Sequence, residues 1–407
     1  MKWLRIEVAN YCNLECKYCF FADLRSKNKD DVMSFDEFKR IVSLCRKEGI
    51  KEIYIQGGEP MQNPNIEKMI NLLVSYDDFN VTLFTNGLFP IGLTEILNYP
   101  RIKTLLNYNH PNNCNNYKDW EDINQNIKKL KKIGADFSLG FNFYQHKPDY
   151  GYFIDAIKKY KFKNIRWDLA RPSGMLKNSF FSFKEIFSLR IILAKFLKDC
   201  LDAGAFPNSD CPLPVCFTKD KIFSFLPRGL FSPFSSCDSI VNIGPGLRIS
   251  SCPASVMFDK IRLDDFGSLN QVAEFVSYSI DKIRWRIPSN VKCKKCFYWE
   301  NRLCQGGCVG YKRINNNKVI GRRELHDFFK DKDNYKKISS RDSFYSKKLN
   351  KEKDFFKKGL LSLKISDNDQ AFKNFIKVDK RTLSITEKKW LNNYLNDQIS
   401  FIVNERN

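Results

Sequence analysis

Three cysteines near the beginning of the chain have the spacing of a metal-binding loop. Cys12, Cys16 and Cys19 form the pattern Cys-x3-Cys-x2-Cys. Three thiolates leave a four-iron cluster one ligand short, so one iron stays open to a small molecule, whereas a zinc ion would require a fourth sulfur or an imidazole nearby. The three histidines of the chain are too few and too scattered to complete several zinc sites. The spacing therefore predicts a metal centre held mainly by thiolate sulfur.

A second group of cysteines lies between positions 211 and 308. Its members are Cys211, Cys216, Cys237, Cys252, Cys293, Cys296, Cys304 and Cys308. A cytosolic compartment keeps thiols reduced, so clustered cysteines there favour metal or catalytic roles over disulfides. Prolines and turn residues are frequent in the same stretch, which therefore needs additional stabilisation that bound metal clusters can supply. Cys45, Cys114 and Cys200 stand apart. Cys45 is interpreted as a small core residue on the apolar face of a helix, and Cys114 and Cys200 as ordinary thiols.

The composition indicates a globular and strongly basic protein. The chain has 407 residues, with 68 Lys and Arg against 46 Asp and Glu, and 43% of its residues are hydrophobic. That hydrophobic fraction excludes a disordered chain, and the length suits two or three domains with a substantial core. Arg5, Glu7 and Asn10 interrupt the first apolar stretch, which excludes a secretory signal or a membrane span there. We expect a cytoplasmic protein without a membrane partner.

Strands and helices alternate along the first half of the chain. Apolar alternation predicts strands at residues 3–8, 52–56, 80–85, 103–107, 137–143 and 165–169. Helical spacing predicts helices at residues 65–76, 93–98, 119–132, 154–160 and 183–203, and Ser34 with Glu37 forms a capping box that begins an earlier helix. This order is typical of βαβ units, which close into a parallel sheet or barrel. Its carboxyl-end loops would hold the three-cysteine segment, Gly57-Gly58 and Asn86-Gly87 together.

The three-cysteine segment resembles the cluster-binding loop of radical S-adenosylmethionine (SAM) enzymes, including the aromatic Tyr18 just before the last cysteine. Gly57-Gly58-Glu59-Pro60, at the end of the second predicted strand, and Thr85-Asn86-Gly87, at the end of the third, are similar to that family's motifs. The resemblance implies an α/β fold with a partial (β/α)6 TIM-like barrel over residues 1–205. It also implies a [4Fe-4S] cluster at Cys12, Cys16 and Cys19, whose open iron the amino and carboxylate groups of SAM chelate.

The same resemblance implies which residues contact SAM. Gly57-Gly58 would let the backbone approach the SAM ammonium, since glycine has no Cβ, and Glu59 would add a charge-assisted contact. Pro60 and Asn86 belong to the same motifs. The polar residues near the ends of the fourth to sixth strands, where the family holds ribose and carboxylate, are Asn107, Asn142 and Arg166. Reductive cleavage of SAM would yield a 5′-deoxyadenosyl radical that removes hydrogen from the substrate, and no residue is assigned as the catalytic base.

The second cysteine group resembles the SPASM domain, which carries auxiliary iron–sulfur clusters in peptide-modifying radical SAM enzymes. Its most specific part is the ending Cys304-Gln-Gly-Gly-Cys308. The sequence departs from the family pattern in three ways. The central spacing is seven residues rather than five, Gly246 lies one residue too far before Cys252, and the final cysteine is missing. The resemblance implies a SPASM-like domain over residues 206–312.

The family's arrangement implies one or two auxiliary [4Fe-4S] clusters. Cys237, Cys252 and Cys308 would share one cluster with an upstream cysteine. The second would be held by Cys293, Cys296 and Cys304. Cys211 and Cys216 can supply the missing sulfurs, one for each cluster. Two alternatives stay open, namely an open iron in the second cluster and a structural zinc ribbon made by the four cysteines 293 to 308.

Auxiliary clusters suit net oxidative chemistry on a peptide, because they accept an electron from a substrate radical or hold a substrate group. The favoured function is maturation of a ribosomally synthesised precursor peptide, by crosslinking side chains or otherwise oxidising a C–H bond. A sulfatase maturase and a small-molecule radical SAM dehydrogenase are the alternatives. An electron donor such as flavodoxin or ferredoxin is the implied redox partner. The first predicted strand begins at the chain start, so we expect leader recognition by a separate leader-binding protein or by the basic tail.

The last quarter of the chain is rich in positive charge. From Tyr311 onward it has 24 Lys and Arg against 13 Asp and Glu, and it has no cysteine after position 311. Apolar spacing predicts a helical extension over residues 313–407. Its basic face is either solvated or a docking surface for an acidic peptide. A nucleic-acid-binding or RNA-modifying protein is a less favoured alternative, because no RNA-binding motif is present and the basic residues are spread along the chain.

Overall fold

The structure is a computed structural model. It describes residues 1–218, 220–226, 237, 239–252, 257–258, 260–284, 287–300, 304–313 and 319–320, together with the single positions 378, 383 and 391. Apart from residue 313, those three positions and the short strand at 319–320, the helical extension predicted at 313–407 lies outside the described residues. No helix in the described part of the chain is long and apolar enough to cross a membrane.

A single large sheet organises the described residues. Its strands are β1 (Trp3–Ala9), β2 (Glu52–Gly57), β3 (Asn80–Thr85), β4 (Ile102–Asn107), β5 (Phe137–Phe143), β6 (Asn164–Leu169), β7 (Phe206–Ser209), β8 (Asn242–Gly244) and β9 (Arg248–Ser250). They are ordered β7-β6-β5-β4-β3-β2-β1-β8-β9. Strands β1 to β7 pair in parallel, and so do β1 and β8, whereas β9 is antiparallel to β8. The expected mixed α/β fold with a partial parallel barrel is confirmed.

Helices follow the strands in the expected order. The α-helices are α1 (Phe35–Lys47), α2 (Ile66–Val74), α3 (Tyr117–Ile133), α4 (Gly151–Tyr160), α5 (Arg190–Asp202), α6 (Val215–Thr218), α7 (Leu269–Arg284), α8 (Phe297–Glu300) and α9 (Gly310–Arg313). Two further short strands, β10 (Met257–Phe258) and β11 (Val319–Ile320), pair in parallel. The predicted capping box is present, because the Glu37 N–H donates to Ser34 Oγ and the Ser34 N–H donates to Glu37 Oε2.

Two predicted helices differ from the observed ones. The segment predicted as a helix at 93–98 forms 3-10 turns over Ile91–Asn98, because Pro90 and Pro100 bracket it and leave too few residues for a longer α-helix. The helix predicted to begin at 183 begins with a 3-10 turn at Glu185–Leu189, and the α-helix proper starts at Arg190.

Apolar and polar side chains alternate along the strands. The apolar ones pack against the helices outside the partial barrel, and the polar ones face its interior. In β1, Leu4, Ile6 and Val8 are fully buried in the same apolar core as the helix residues. Arg5 and Glu7 lie at the alternate positions and therefore point to the opposite face. Because β1 to β7 run in parallel, all of their carboxyl ends meet at one edge of the sheet, where the predicted motifs also lie.

The region after residue 205 continues the same sheet. Strand β7 extends it beyond β6, and β8 and β9 extend it beyond β1. The Glu7 carboxylate of β1 accepts hydrogen bonds from Arg248 Nη2 at 2.9 Å and from Ser250 Oγ at 3.2 Å. The division into parts at residues 1–205, 206–312 and 313–407 stays a prediction.

Candidate active site

The three-cysteine loop follows β1, and amide groups from other strand ends point at its sulfurs. Asn86 Nδ2 lies 3.8 Å from Cys12 Sγ, and Asn109 Nδ2 lies 3.6 Å from Cys16 Sγ. The Cys19 N–H donates to the Cys16 carbonyl at 3.1 Å, which turns the chain back on itself. Amide donors of this kind orient thiolate ligands and tune the metal that they hold.

Side-chain hydrogen bonds anchor this loop to the neighbouring strand ends. Asn13 Nδ2 donates to the Leu88 carbonyl at 2.8 Å, and its Oδ1 accepts from Asn86 Nδ2 at 2.9 Å. The Tyr18 hydroxyl donates to Asn109 Oδ1, and the Tyr18 carbonyl accepts from Asn178 Nδ2 at 3.0 Å. The aromatic residue of the motif therefore fixes the same asparagine that faces Cys16.

The environment of the three thiols fits metal ligation. Burial, together with the nearby Glu59 carboxylate, raises the pKa of Cys12 to about 12. Burial also raises the pKa values of Cys16 and Cys19, and for Cys16 the neighbouring Cys19 and Cys12 thiols add to the effect. Three adjacent thiolates in a buried site require compensating positive charge, which iron supplies. The residues present therefore fit a cluster with three thiolate ligands.

Gly57 and Gly58 allow the end of β2 to approach the loop that follows β1. A Cβ on Gly57 would lie 2.2 Å from the Ala9 carbonyl oxygen, and one on Gly58 would lie 2.2 Å from that of Tyr11. The Gly58 N–H donates to the Ala9 carbonyl at 2.6 Å, and the Glu59 N–H donates to the Tyr11 carbonyl at 2.9 Å. The missing Cβ atoms thus make room for the chain's own backbone, a contact that the sequence interpretation did not include.

Glu59 holds the motif at the end of β2 against the motif at the end of β3. Its carboxylate accepts from Thr85 Oγ1 at 2.7 Å, from the Asn86 N–H at 2.7 Å and from the Met61 N–H at 3.1 Å. Burial raises the pKa of Glu59 to about 7 against these hydrogen bonds, which lower it. These contacts make Glu59 a positioning residue for Asn86, whereas its contact with SAM stays a prediction.

The three polar residues predicted on β4, β5 and β6 form one network. Asn142 Nδ2 lies 3.4 Å from Asn107 Oδ1, and Asn142 Oδ1 accepts from Arg166 Nη1 at 2.8 Å. Arg166 Nε donates to Asp210 Oδ2 at 2.7 Å, and its Nη2 lies 3.4 Å from Asp168 Oδ2. The guanidinium is therefore held between two carboxylates.

A cavity of about 200 Å³ joins these groups at the carboxyl edge of the sheet. All predicted SAM-binding residues line it, namely Tyr18, Gly57, Gly58, Glu59, Pro60, Asn86, Asn107, Asn142 and Arg166. The cysteines that line it are Cys12, Cys16, Cys19, Cys211, Cys252 and Cys308. The cavity therefore has thiols of the first loop in one part of its wall and thiols of the second group in another.

The second cysteine group separates into two sets. In the first set, Cys308 and Cys252 lie close enough to Cys211 to raise the pKa of its thiol. Cys237 and Cys252 raise the pKa of the Cys308 thiol in the same way. In each case burial is the main cause of the raised thiol pKa. We call Cys211, Cys237, Cys252 and Cys308 the inner set, because three of its members line the cavity.

The outer set is built around Cys216. Burial, together with the nearby Cys304, Cys293 and Cys296, raises the pKa of the Cys216 thiol to about 11. We call these four cysteines the outer set. Cys211 and Cys216, five positions apart, thus face different sets. Within the described stretches of the chain, no three His, Cys, Asp or Glu side chains are arranged as a single-ion site.

The turn between Cys304 and Cys308 depends on its two glycines. Gly306 and Gly307 both have φ of +79°, a conformation that glycine adopts readily. The Gly306 N–H donates to Cys304 Sγ at 3.2 Å, and the Gly310 N–H donates to Cys308 Sγ at 3.4 Å. This conformation lets one short segment supply a sulfur to the outer set and another to the inner set.

Sequence reasoning missed several residues that line or support the site. They are Asn109, Asp168, Arg171, Asp210 and Tyr311. Arg171 donates to Tyr311 Oη at 2.9 Å and to Asp168 Oδ1 at 3.3 Å, which ties the end of β6 to the segment after Cys308. The one available signal was position, because Asn109 and Arg171 each lie two residues beyond the end of a strand.

The sequence profile of the radical SAM superfamily matches residues 6–158. That match contains the three-cysteine loop and the strand-end motifs whose geometry is described above. Residues 6–158 are therefore similar to a radical SAM domain. A radical SAM domain implies a [4Fe-4S] cluster and SAM.

The curated relatives match only part of the chain. A GTP 3′,8-cyclase of Staphylococcus saprophyticus is 38% identical over 93 residues, which cover 21% of this chain and 27% of the relative. A probable GTP 3′,8-cyclase of Methanocaldococcus jannaschii is 30% identical over 139 residues, which cover 33% of this chain and 46% of the relative. The chain thus spans between a quarter and a half of the length of these relatives.

Solved structures share the fold over most of the chain. SuiB of Streptococcus suis, solved with S-adenosylmethionine, has a TM-score of 0.56 at 17% identity and covers 80% of this chain and 77% of its own. The protein anSMEcpe, solved with AdoMet, has a TM-score of 0.58 at 18% identity and covers 82% of this chain and 96% of its own. At these identities the likeness concerns the fold.

Proposed function

We propose that this radical SAM enzyme oxidatively modifies a ribosomally synthesised precursor peptide by crosslinking its side chains. The observation that carries the proposal is the shared cavity. Cys12, Cys16 and Cys19 line one part of it, and Cys211, Cys252 and Cys308 line another. A substrate in this cavity would lie between the site of radical formation and a second redox centre, as a net oxidation requires.

The chain's own residues divide the work at this site. Cys12, Cys16 and Cys19 would hold the loop cluster, which together with SAM supplies a 5′-deoxyadenosyl radical when both are bound. Asn107, Asn142 and Arg166 would hold the ribose and the carboxylate of SAM. Asp168 and Asp210 keep the Arg166 guanidinium in place through contacts of 3.4 Å and 2.7 Å. The glycine pair keeps the end of β2 against the cysteine loop.

The inner and outer sets would hold two auxiliary [4Fe-4S] clusters. Each set contains four cysteines, which is the number of thiolates that such a cluster takes. Cys211 would complete the inner set, and Cys216 would replace the missing terminal ligand of the outer set. The inner set reaches the cavity wall, so its cluster is the one placed to accept an electron from the substrate.

A peptide substrate is supported by the neighbouring structures and by the charge of the chain. SuiB has been solved with the precursor peptide SuiA, and anSMEcpe has been solved with the Cp18Cys peptide. The net charge of +22 would attract an acidic leader segment. The basic extension or a separate leader-binding protein would dock that leader, and flavodoxin or ferredoxin would supply the electrons.

A second candidate is a sulfatase maturase or an enzyme acting on a small molecule. The likeness to anSMEcpe, of which 96% is covered, supports the former, and the GTP 3′,8-cyclase matches support the latter. The cyclase matches cover only a quarter to half of those proteins, so they carry less weight for the substrate. The inner set at the cavity wall favours a net oxidation over a cyclisation without a redox change.

The experiment is anaerobic co-expression with candidate precursor peptides, followed by mass spectrometry of the purified peptide. A loss of about two mass units per crosslink, dependent on the wild-type enzyme, is expected because each new bond removes two hydrogens. The control is the triple variant Cys12→Ala, Cys16→Ala and Cys19→Ala, which should leave the peptide unmodified. The proposal would be contradicted if the enzyme cleaved SAM and consumed a small substrate while every tested peptide kept its mass.

A further inference from the structure

A buried lysine lies beside both auxiliary cysteine sets. Lys312, in the short helix α9, is 1% exposed. Its Nζ donates to the Arg284 carbonyl oxygen and lies 4.3 Å from the centroid of the Trp299 ring. These two contacts hold the ammonium group at one place in the interior.

The charged groups around Lys312 are mostly thiols. The pKa of Lys312 is lowered to about 7, mainly by burial. Arg284 adds to this lowering, whereas Cys304 and Cys293 of the outer set and Cys237 of the inner set oppose it. Among the described residues, no carboxylate lies within 4.0 Å of Lys312 Nζ. Burial favours the neutral amine, so Lys312 keeps its proton only if negative charge lies nearby, and thiolate-bound clusters would supply that charge.

The inner set has a different cation, and that cation is already paired. Arg171 lies near Cys211 and Cys308, and it contacts Asp168 at 3.3 Å in addition to the Tyr311 hydroxyl. The carboxylate of Asp168 offsets part of its charge. Lys312 therefore brings positive charge to the thiols with less local cancellation than Arg171 does.

We infer that Lys312 compensates the negative charge of the thiolate-bound auxiliary clusters and raises their reduction potential, most strongly for the outer set. This inference rests on the proposed auxiliary clusters. A cluster held by four thiolates is anionic and gains one more negative charge on reduction. A fixed ammonium in a region of low dielectric stabilises the more negative state more strongly. Lys312 thus acts through its positive charge and takes no part in the hydrogen abstraction itself.

The test is a redox titration of the anaerobically reconstituted holoenzyme, followed by electron paramagnetic resonance. Lys312→Met and Lys312→Gln remove the charge, whereas Lys312→Arg keeps it. Lys294→Met is the matched control, because Lys294 lies between Cys293 and Cys296 in sequence but is exposed, so water and salt screen its charge.

We expect the neutral variants to shift one auxiliary signal to more negative potential, while the loop-cluster signal stays unchanged. Lys312→Arg should keep the potential close to that of the wild type, and Lys294→Met should change it little. Auxiliary iron lost in both neutral variants but kept in Lys312→Arg would also support charge compensation. Loss in all three Lys312 variants would overturn it, since packing alone would then explain the effect.

Two outcomes separate this inference from the proposed function. Unchanged potentials in fully loaded Lys312→Met would overturn the role of Lys312 alone. About four irons in the wild-type chain would overturn the auxiliary clusters, and the inference with them.

Discussion

Replacement of Gly58 by alanine tests whether the close approach between β2 and the cysteine loop positions the cluster ligands. The new Cβ would lie 2.2 Å from the Tyr11 carbonyl oxygen, 2.6 Å from its carbon and 2.7 Å from the Asn10 carbonyl oxygen. All three are backbone atoms, so no side-chain rotation can relieve the clash. Gly58 does not have a positive φ, and the effect is therefore one of space rather than of backbone strain.

The expected cost follows from two contributions. Forcing a methyl group into a packed site costs about 1–3 kcal/mol. Separating the segments would also weaken the hydrogen bonds from the Gly58 N–H to Ala9 and from the Glu59 N–H to Tyr11, at about 0.5–1.5 kcal/mol each. Gly58→Ala should therefore lower the free energy of unfolding by about 2–6 kcal/mol.

The assay combines urea denaturation with measurements of iron content and 5′-deoxyadenosine formation. Because the clash lies next to the loop, the variant should lose SAM cleavage and the iron of the loop cluster before it loses the auxiliary iron. Gly92→Ala is the control, since a Cβ there meets no atom within 4 Å. A Gly58→Ala variant with wild-type stability and wild-type SAM cleavage would refute the role assigned to this contact.

Three further predictions follow from the site. Cys211→Ala and Cys216→Ala should each perturb a different auxiliary cluster, seen as distinct losses of iron and of reduced-state spectra, and full iron with full turnover in both would contradict the two-set arrangement. Arg166→Gln should weaken SAM binding by about tenfold or more, equivalent to about 1.4 kcal/mol, without loss of iron; an unchanged SAM dependence of 5′-deoxyadenosine formation would exclude the contact. Because burial raises the Glu59 pKa to about 7, the folded protein binds this proton more tightly than the unfolded chain. The Glu59 contribution to stability should then be present below about pH 4.5 and be lost as the pH rises to about 7. Glu59→Gln should flatten that slope in urea denaturation at pH 5, 6 and 7, and an unaltered slope would contradict the assignment.

The order of strands and helices could be predicted because each βα unit has a strong local pattern. The capping box of Ser34 and Glu37 and the alternation of β1 are properties of a few neighbouring residues. The parallel arrangement then brings the strand-end motifs together without further information. The prediction of an α-helix at 93–98 was wrong, because a short segment between two prolines forms 3-10 turns instead.

The contacts within the site could not be predicted in the same way. The role of Gly57 and Gly58 against Ala9 and Tyr11 depends on two segments about fifty residues apart. The pairing of Arg171 with Tyr311 spans 140 residues and depends on where the second cysteine group lies against the barrel. Such long-range contacts have no periodic signal in the sequence, whereas the cysteine spacing is itself the signal for the loop.

The most direct test of the account is the iron content of the anaerobically reconstituted wild-type chain, compared with the variant in which Cys12, Cys16 and Cys19 are all alanine. We expect about eight to twelve irons in the wild type, and a variant that loses about four of them, keeps the others and forms no 5′-deoxyadenosine. About four irons in the wild type together with none in the variant would contradict the claim that this enzyme carries auxiliary clusters beside its SAM site.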